Sequence, residues 1–433
     1  MRDAPDRPLI ADAGPEPVAP AEPATVATGR RHEVLVLLIL ALVNGVVALD
    51  RLAVNFLSPY IIADFGLTNT QLGLLSSALS GAISVSGLLF AALADRTGRQ
   101  KTILVWMLIA FSLMSGGAGI AIGFATLFLA RLLLGVTEGP LVPLTQTIMG
   151  AASAPHRRGL NMGTMQIGGA FLIGAMLGPL IAVQAAERIG WQATFFLSAA
   201  PGLLCALLVG LFVRQPGAGA AGRSDAPAPG REPPPLATLL RSRNLRLSMA
   251  IAALFTAWIT IQNVFLPRYL TERMGHGRET MAWLLSLSGL GGLIGGVLIP
   301  ALSDRFGRKP MTVLAGFGSI LVPLALLTIA REPMLIGAAM AIGGMTVGCA
   351  PLVCAIIPSE SVPASRVTSA VALSMCTAEL VGGVLSPPVA GWAADRWGLR
   401  AVFWLDIGLA IACGLLALCL QETRPRETGG PAR

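Results

Sequence analysis

The stretch LADRTGRQK, residues 93–101, decides the fold because it is a short polar loop between two long apolar segments. Residues 72–93 precede it and residues 102–122 follow it, and each segment has roughly the 20 apolar residues that a transmembrane helix needs. Gly98 permits a tight turn where a Cβ atom would clash, and basic residues hold such a loop at a membrane surface. The stretch therefore predicts two membrane-spanning helices joined by a tight turn.

The composition extends this prediction to the whole chain. Its 433 residues are 54% hydrophobic and 12% charged, whereas soluble domains carry about 25% charged residues. We predict an all-α membrane protein with twelve transmembrane helices that is embedded in the lipid bilayer. The predicted spans are 34–58, 72–93, 102–122, 124–149, 160–183, 192–213, 247–267, 281–302, 310–330, 334–357, 367–391 and 401–420.

Several classes of protein are excluded by the same composition. The net charge of +8 does not indicate a nucleic-acid partner, because the basic residues are spread over short loops. The six cysteines lie in apolar segments without a C-x-x-C pair, and the three histidines lie in loops or at segment ends, so we expect no metal and no cofactor. The chain has no Ser-His-Asp, H-E-x-x-H or nucleotide-binding motif, which argues against an enzyme and against a pump driven by ATP.

The polar segments predict the organisation and the orientation of the chain. Residues 1–31 are expected to be a disordered tail without a signal peptide, residues 214–246 a flexible cytoplasmic linker, and residues 423–433 a second tail. With both ends on one side, the loops and tails carry 22 Lys and Arg on that side and 7 on the other. This bias places both termini in the cytoplasm and the protein in the inner cell membrane.

The chain also repeats itself, which predicts two halves. The segment LSDRFGRKP, residues 302–310, repeats the polar loop, and GLRAVFWL at 398–405 matches GWQATFFL at 190–197, 208 residues earlier. We predict two six-helix halves, 32–213 and 247–422, related in parallel, with substrate bound between them near mid-membrane. The repeated loop residues are Asp95, Arg96, Gly98 and Arg99 in the first copy, and Asp304, Arg305, Gly307 and Arg308 in the second.

The stretch GLLFAALADRTGRQK, residues 87–101, resembles the signature of the major facilitator superfamily, with Gln100 as a small departure. The resemblance covers residues 32–422 and implies the major facilitator fold, a secondary transporter that functions as a monomer, and a cytoplasmic gate built from the two polar loops. In that superfamily the first loop is thought to steady the outward-open state. The alternative is that these residues only anchor the topology.

Six charged residues lie inside the predicted spans, where a charge is costly and is a functional candidate by default. One of them, Asp406, lies nearer the outer end of span 12, and the other five are Asp50, Arg51, Arg131, Glu138 and Glu379. Their equivalents 208 residues away are uncharged, so they are not part of the repeated scaffold. We predict that they line one cavity, with Glu138 and Glu379 at mid-depth and the arginines in the outer half.

Each of these residues has a structural alternative. Asp50 and Arg51 would lie at the outer interface, Arg131 and Glu138 would form a buried ion pair, and Glu379 would face a gap filled by water or backbone carbonyls. Glu360 and Arg366 are expected to form a latch between loops and not to bind a ligand.

Residues 48–78 and 131–148 resemble the anion:cation symporter family, which implies uptake of a small organic anion, such as a sugar acid or a carboxylate, with protons. We therefore expect Arg51 to bind the carboxylate of the substrate, because a guanidinium presents a fork that matches it. Arg131 is a weaker candidate, and Asn55 and Asn263 would add neutral hydrogen bonds. Glu138 is the first candidate for proton coupling, followed by Glu379 and Asp50.

Other functions remain open at this point. GAMLGPLIA, residues 174–182, partly resembles the signature of drug antiporters, which favours export of drugs or metabolites. The Asp-Arg pair of the first span and the polar fourth span also occur in spinster-like lysolipid transporters. A membrane protein that does not transport, such as a sensor or an intramembrane enzyme, is a further alternative.

Overall fold

A computed structural model describes residues 30–215, 239–329, 332–363 and 366–423. Twelve helices in these residues are long and apolar enough to cross a membrane, so the predicted all-α architecture is confirmed. Most of the predicted tails and of the predicted linker lie outside the described residues, and residues 30 and 31, predicted in the first tail, belong to span 1. Spans 1 to 12 are Arg30–Phe56, Asn69–Ala94, Gln100–Ile120, Phe124–Ala152, Arg158–Ile189, Trp191–Phe212, Arg243–Arg273, Arg278–Phe306, Arg308–Thr328, Pro333–Glu360, Val367–Trp397 and Arg400–Leu418.

The observed helices begin and end within six residues of the predicted boundaries. The largest differences lie at the ends of spans 5, 7 and 11, which continue to Ile189, Arg273 and Trp397. Each of these extensions carries charged residues, which an apolar-segment criterion leaves out although they continue the helix. Between spans 1 and 2 the chain forms a further short helix, Ser58–Phe65.

We call the face of the bundle that bears Arg30 and Leu418 the terminal side, and the face that bears Phe56 and Asn69 the distal side. Spans 1–6 and spans 7–12 form two halves, which meet where span 2 packs on span 11 and span 5 packs on span 8. Both interfaces contain wide π-helical turns, at Gly168–Leu177 in span 5 and at Glu379–Leu385 in span 11. These positions correspond in the 208-residue repeat, so the two halves share this irregularity.

A carboxylate of span 11 joins the two halves at the distal side. Asp395 accepts hydrogen bonds from the backbone and side-chain nitrogens of Asn69, both at 2.8 Å, and from the backbone nitrogen and hydroxyl of Thr70, at 2.9 and 2.6 Å. Backbone N–H groups in the first turn of a helix have no partner within it, and a negative charge there is favourable. Arg268 of span 7 adds a 2.7 Å bond to the side-chain oxygen of Asn69. We call these four residues the distal latch.

Spans 2 and 11 stay in close contact next to the distal latch. The Ser77 hydroxyl donates to the carbonyl oxygen of Val384 at 2.6 Å. A Cβ atom on Gly73 would lie 2.3 Å from the carbonyl oxygen of Pro387, so the absence of a side chain lets the two backbones approach. The two halves are therefore closed against each other at the distal side.

Candidate functional site

A cavity of about 240 Å³ lies between the two halves and is lined by spans 1, 4, 5, 7, 8 and 10. Its volume is near the lower end of small-molecule pockets, which span roughly 300–1,000 Å³. Among the described residues, Arg51 is the one charged residue in the wall. The polar residues that line the cavity are Asn44, Arg51, Gln166, Gln262, Asn263 and Ser288. A wall with one cation and several amides suits a small anion that also carries hydrogen-bonding groups.

Arg51 connects this cavity to a buried carboxylate. Its Nε and Nη2 atoms lie 2.6 and 2.5 Å from Oε1 of Glu138. The Arg51 side chain is 43% exposed, whereas that of Glu138 is 0% exposed. The second oxygen of Glu138 has no hydrogen-bond partner among the described residues. Glu138 therefore uses one edge of the guanidinium, and the rest of that group is accessible from the cavity.

The directions of the two helices explain why these side chains meet. A helical side chain leans toward the N-terminus of its own helix, and spans 1 and 4 run in opposite directions. Arg51 therefore leans toward the terminal side and Glu138 toward the distal side. Span 4 is interrupted directly after Glu138, where Gly139 packs so closely on span 2 that a Cβ atom would lie 2.1 Å from the Ser86 hydroxyl.

Arg131 differs from its predicted surroundings. The structure does not pair it with Glu138, which instead forms its ion pair with Arg51. Instead the Nη2 atom of Arg131 donates to the backbone carbonyl oxygen of Arg51 at 2.9 Å. Arg131 is 2% exposed and does not line the cavity. It supports the backbone of span 1 directly behind the exposed guanidinium.

Asp50 lies behind Arg51 in a separate polar cluster. It accepts a hydrogen bond from the Ser115 hydroxyl of span 3 and a 3.4 Å bond from the Ser198 hydroxyl of span 6. Its electrostatic partners include Arg131, and it is 2% exposed. The predicted alternative of an interfacial Asp50 is wrong, because this side chain is buried among spans 1, 3 and 6.

The other predicted ligand and coupling residues divide between the cavity and its surroundings. Asn263 lines the cavity, whereas its repeat equivalent Asn55 is 7% exposed and does not line it. Glu379 is half-buried at the first residue of the wide turn in span 11. It lies within electrostatic reach of Arg51, from the opposite half. The structure thus brings Arg51, Glu138 and Glu379 together and leaves Asn55 aside.

Sequence reasoning missed several polar residues of this region. Asn44, Gln166, Gln262 and Ser288 line the cavity, and Ser115 and Ser198 bind Asp50. The available signal was a polar side chain within an otherwise apolar span. That signal is weak for serine, which also donates to the carbonyl of the preceding turn, and strong for the amides.

The polar loops at the terminal side form two different clusters. Gly98 adopts a φ of 63° and Gly307 a φ of 107°, the left-handed region that favours glycine. In the first loop the side chains of Arg96 and Arg99 are exposed, while Gln215 donates to the Gly98 carbonyl oxygen at 2.5 Å. Gln215 was expected in a flexible linker, and it is held here by the loop. The side chain of Asp95 lies outside the described part of the structure.

The second loop is held by ion pairs. Arg308 pairs with Asp304 at 2.5 Å and with Glu360 at 3.0 Å. Arg305 lies over the ring of Phe306, 5.5 Å from its centroid. Glu360 thus joins the loop between spans 10 and 11 to the loop between spans 8 and 9. The contact is of the kind expected for a latch between loops.

Known proteins provide comparisons for the whole chain. A family model described as Major Facilitator Superfamily matches residues 40–331 and 259–433. The hexuronate transporter of Bacillus subtilis is 30% identical over 304 residues, which cover 66% of this chain and 70% of that protein. The cis,cis-muconate transport protein of Acinetobacter baylyi is 23% identical over 384 residues, which cover 86% of this chain and 91% of that protein.

Among solved structures, a bacterial homologue of the human lysosomal transporter Spinster, in an inward-facing and unoccupied conformation, superposes with a TM-score of 0.72. The two sequences are 19% identical, and the superposition covers 93% of this chain and 100% of that one. At this identity the likeness concerns the fold. In the described residues, no group of three or more His, Cys, Asp or Glu is placed to hold a metal ion.

Proposed function

This chain belongs to the major facilitator superfamily, and from that premise we propose that it imports a small organic anion together with protons. The superfamily and the likeness to the anion:cation symporter family, both predicted from the sequence, are confirmed. The chain is a multi-pass membrane transporter and not an enzyme. The substrate class, the coupling ion and the direction of transport belong to the proposal.

The observation that carries the proposal is the contact between Arg51 and Glu138. An ionised Glu138 competes with an incoming carboxylate for the same guanidinium. A proton on Glu138 removes that competition and leaves the Arg51 guanidinium, which faces the cavity, without its ion-pair partner. Because a charged hydrogen bond contributes about 1.5–3 kcal/mol, this change alters anion affinity by roughly ten- to a hundredfold. Proton binding and anion binding then favour each other, which is the requirement for symport.

Three further charged side chains lie near Arg51 and Glu138. Arg131 holds the backbone carbonyl of Arg51, which fixes the position of the guanidinium stem. Asp50 lies within electrostatic reach of both Arg131 and Glu138, so we propose it as a further carrier of the proton. Glu379 approaches Arg51 from the other half and is a second proton acceptor when the halves separate.

The cavity wall supports a small hydrophilic anion as the substrate. Asn263 and Gln262 of span 7 face the cavity across from Arg51. They offer the neutral donors and acceptors that the hydroxyl groups of a sugar acid or the second carboxylate of a dicarboxylate require. Two relatives are named as transporters of a hexuronate and of cis,cis-muconate, and both names describe small organic acids.

The distribution of basic residues supports an orientation with the terminal side in the cytoplasm of the cell and the protein in the inner membrane. The distal latch then closes the outer side, and the structure corresponds to the state that releases substrate inward. The two polar loops would form the cytoplasmic gate that closes when the distal latch opens. We expect the monomer to be the functional unit, because the cavity is built within one chain.

Transport into proteoliposomes tests the proposal against its alternatives. We expect radiolabelled hexuronate or cis,cis-muconate to accumulate when the outside is acidic, and not when a protonophore removes the gradient. Accumulation that requires an acidic interior, or transport of cationic drugs alone, would favour the exporter instead. Saturable uptake of a lysolipid without uptake of either acid would favour the spinster-like function.

A further inference from the structure

Asp406 of span 12 is a buried carboxyl group that this mechanism does not use. It is 0% exposed, and neither carboxylate oxygen has a hydrogen-bond partner among the described residues. An ionised carboxylate is strongly disfavoured in an apolar interior without a cation or donors. The site therefore fits the neutral, proton-bound carboxyl better than the ion.

Within the described part of the chain, one side chain is placed to interact with Asp406. Span 12 packs against spans 7, 9 and 11, and the side chain that faces the carboxyl group is Gln262 of span 7. Gln262 also lines the central cavity, and its Nε2 atom has no hydrogen-bond partner among the described residues. One side chain thus separates Asp406 from the cavity.

Several charged residues on the three neighbouring spans engage partners elsewhere. Arg268 pairs with Glu272 within span 7, and Arg308 of span 9 pairs with Asp304 and Glu360. On span 11, Asp395 belongs to the distal latch and Glu379 interacts with Arg51. Gln262 is the interaction partner that the described structure gives Asp406. The protonation of Asp406 is therefore decoupled from these ion pairs.

The internal repeat gives this position a counterpart. Asp406 directly follows GLRAVFWL, and the residue that directly follows the matching GWQATFFL is Ser198. Ser198 is one of the two hydroxyl groups that bind Asp50. Each half therefore holds a buried carboxyl group in the same place, between its first and sixth spans. The first half contributes it from its first span, and the second half from its sixth.

The two carboxyl groups differ in the hydrogen-bond donors and positive charges that surround them. Asp50 has two serine hydroxyls and the charge of Arg131 nearby, whereas the repeat places Ala339 where the first half has Arg131. We propose that Asp406 is a second proton-binding site, in the second half, which exchanges its proton with the cavity when Gln262 moves aside. A hydronium ion in the cavity transfers its proton to a carboxylate oxygen of Asp406 and becomes water, so one O–H bond breaks as the other forms.

Infrared difference spectroscopy on the purified protein tests proton binding without substrate. We expect the wild type to show a protonated-carboxyl band that changes with pH and disappears in Asp406→Asn. Asp406→Ser, which introduces the residue of the first half, should remove the same band and guards against a folding defect specific to asparagine. The bands of Glu138, Asp50 and Glu379 cancel in the wild-type-minus-variant difference, so a difference without a pH-dependent protonated-carboxyl component in both variants would overturn the proposal.

Coupling to transport, which rests on the proposed function, needs a second measurement. With the membrane potential clamped to zero and a pH gradient of about one unit, each coupled proton multiplies the accumulation ratio about tenfold. We expect Asp406→Asn to accumulate labelled hexuronate about tenfold less than the wild type at steady state, with exchange at equal concentrations preserved. An unchanged ratio would refute a coupled role for Asp406. If the wild type itself shows no accumulation, the proposed function fails, and the infrared experiment still decides whether Asp406 binds a proton.

Discussion

The two halves of this transporter share a scaffold and divide the chemistry of the cavity between them. Spans 1 and 4 place Asp50, Arg51, Arg131 and Glu138 in and behind the wall. At the equivalent positions the second half carries Trp258, Ile259, Ala339 and Thr346, and its contribution to the wall consists of amides, a serine and apolar side chains. Repeated structure therefore does not mean a repeated site.

This division separates charge from shape. The first half fixes an arginine between a buried acid and the cavity, so under the proposed function it determines the sign of the ligand and links anion binding to the proton on Glu138. The second half supplies neutral contacts to the cavity wall, so under the same proposal it determines which anions fit. Changes in the first half should therefore alter affinity for all anions, whereas changes in the second should alter the preference among them.

The largest effect on binding is expected at Arg51. Arg51→Ala should weaken anion binding by roughly ten- to a hundredfold, corresponding to about 1.5–3 kcal/mol for a charged hydrogen bond. Arg51→Lys should lose less, since it keeps the charge and loses the fork. Calorimetry with hexuronate and with its neutral amide separates the contribution of the charge contact from any general loss of binding. Equal losses for the acid and the amide would show a folding defect and not a charge contact.

An intermediate effect is expected at the distal latch, which belongs to both halves. Asp395→Asn keeps one acceptor oxygen, so opening of the distal side should become about fivefold more favourable, or about 1 kcal/mol. The measurement is the rate at which a membrane-impermeant maleimide labels Ser288→Cys in a background without native cysteines. Asp64→Asn is the matched control, because Asp64 binds Trp191 within one half at 2.5 Å. Faster labelling in both variants would mean general loosening.

The smallest effect compares the two matched asparagines. Asn263→Ala should weaken binding of a hydroxylated acid by about two- to fivefold, as expected for one neutral hydrogen bond of about 0.5–1 kcal/mol. Asn55→Ala should leave binding unchanged, since Asn55 is outside the cavity wall. Competition binding with hydroxylated and unhydroxylated acids measures both. A larger loss for Asn55→Ala would show that the halves do not divide the site in this way.

The fold was predictable because many independent sequence features along the chain indicate the same topology. Twelve apolar segments, the basic bias of the loops and the repeated Gly98 and Gly307 turns each contribute independently, and errors at single boundaries do not change the topology. The site was predictable only in part. Arg51 and Glu138 are visible as costly charges within spans, but their contact depends on helix rotation and on the interruption after Glu138.

The partner of Arg131 could not be read from spacing. Arg131 and Glu138 lie two turns apart on one helix, which suggests an ion pair. Instead Arg51 of span 1 pairs with Glu138, and Arg131 donates to the backbone carbonyl oxygen of Arg51. Tertiary packing of this kind has no local signal. The distal latch was missed for the same reason, because Asp395 and Asn69 are 326 residues apart.

The central claim is that a proton on Glu138 frees Arg51 for the anion, and the pH dependence of binding tests it most directly. The measurement is the Kd of the purified protein for hexuronate across neutral and acidic pH, in the wild type and in Glu138→Gln. For the wild type we expect affinity to fall as pH rises and Glu138 ionises, by up to about tenfold per pH unit for one linked proton. The Glu138→Gln variant should bind hexuronate tightly across this pH range. Its affinity should depend on pH more weakly than that of the wild type, by the contribution of one proton. The same slope in both proteins would contradict the account.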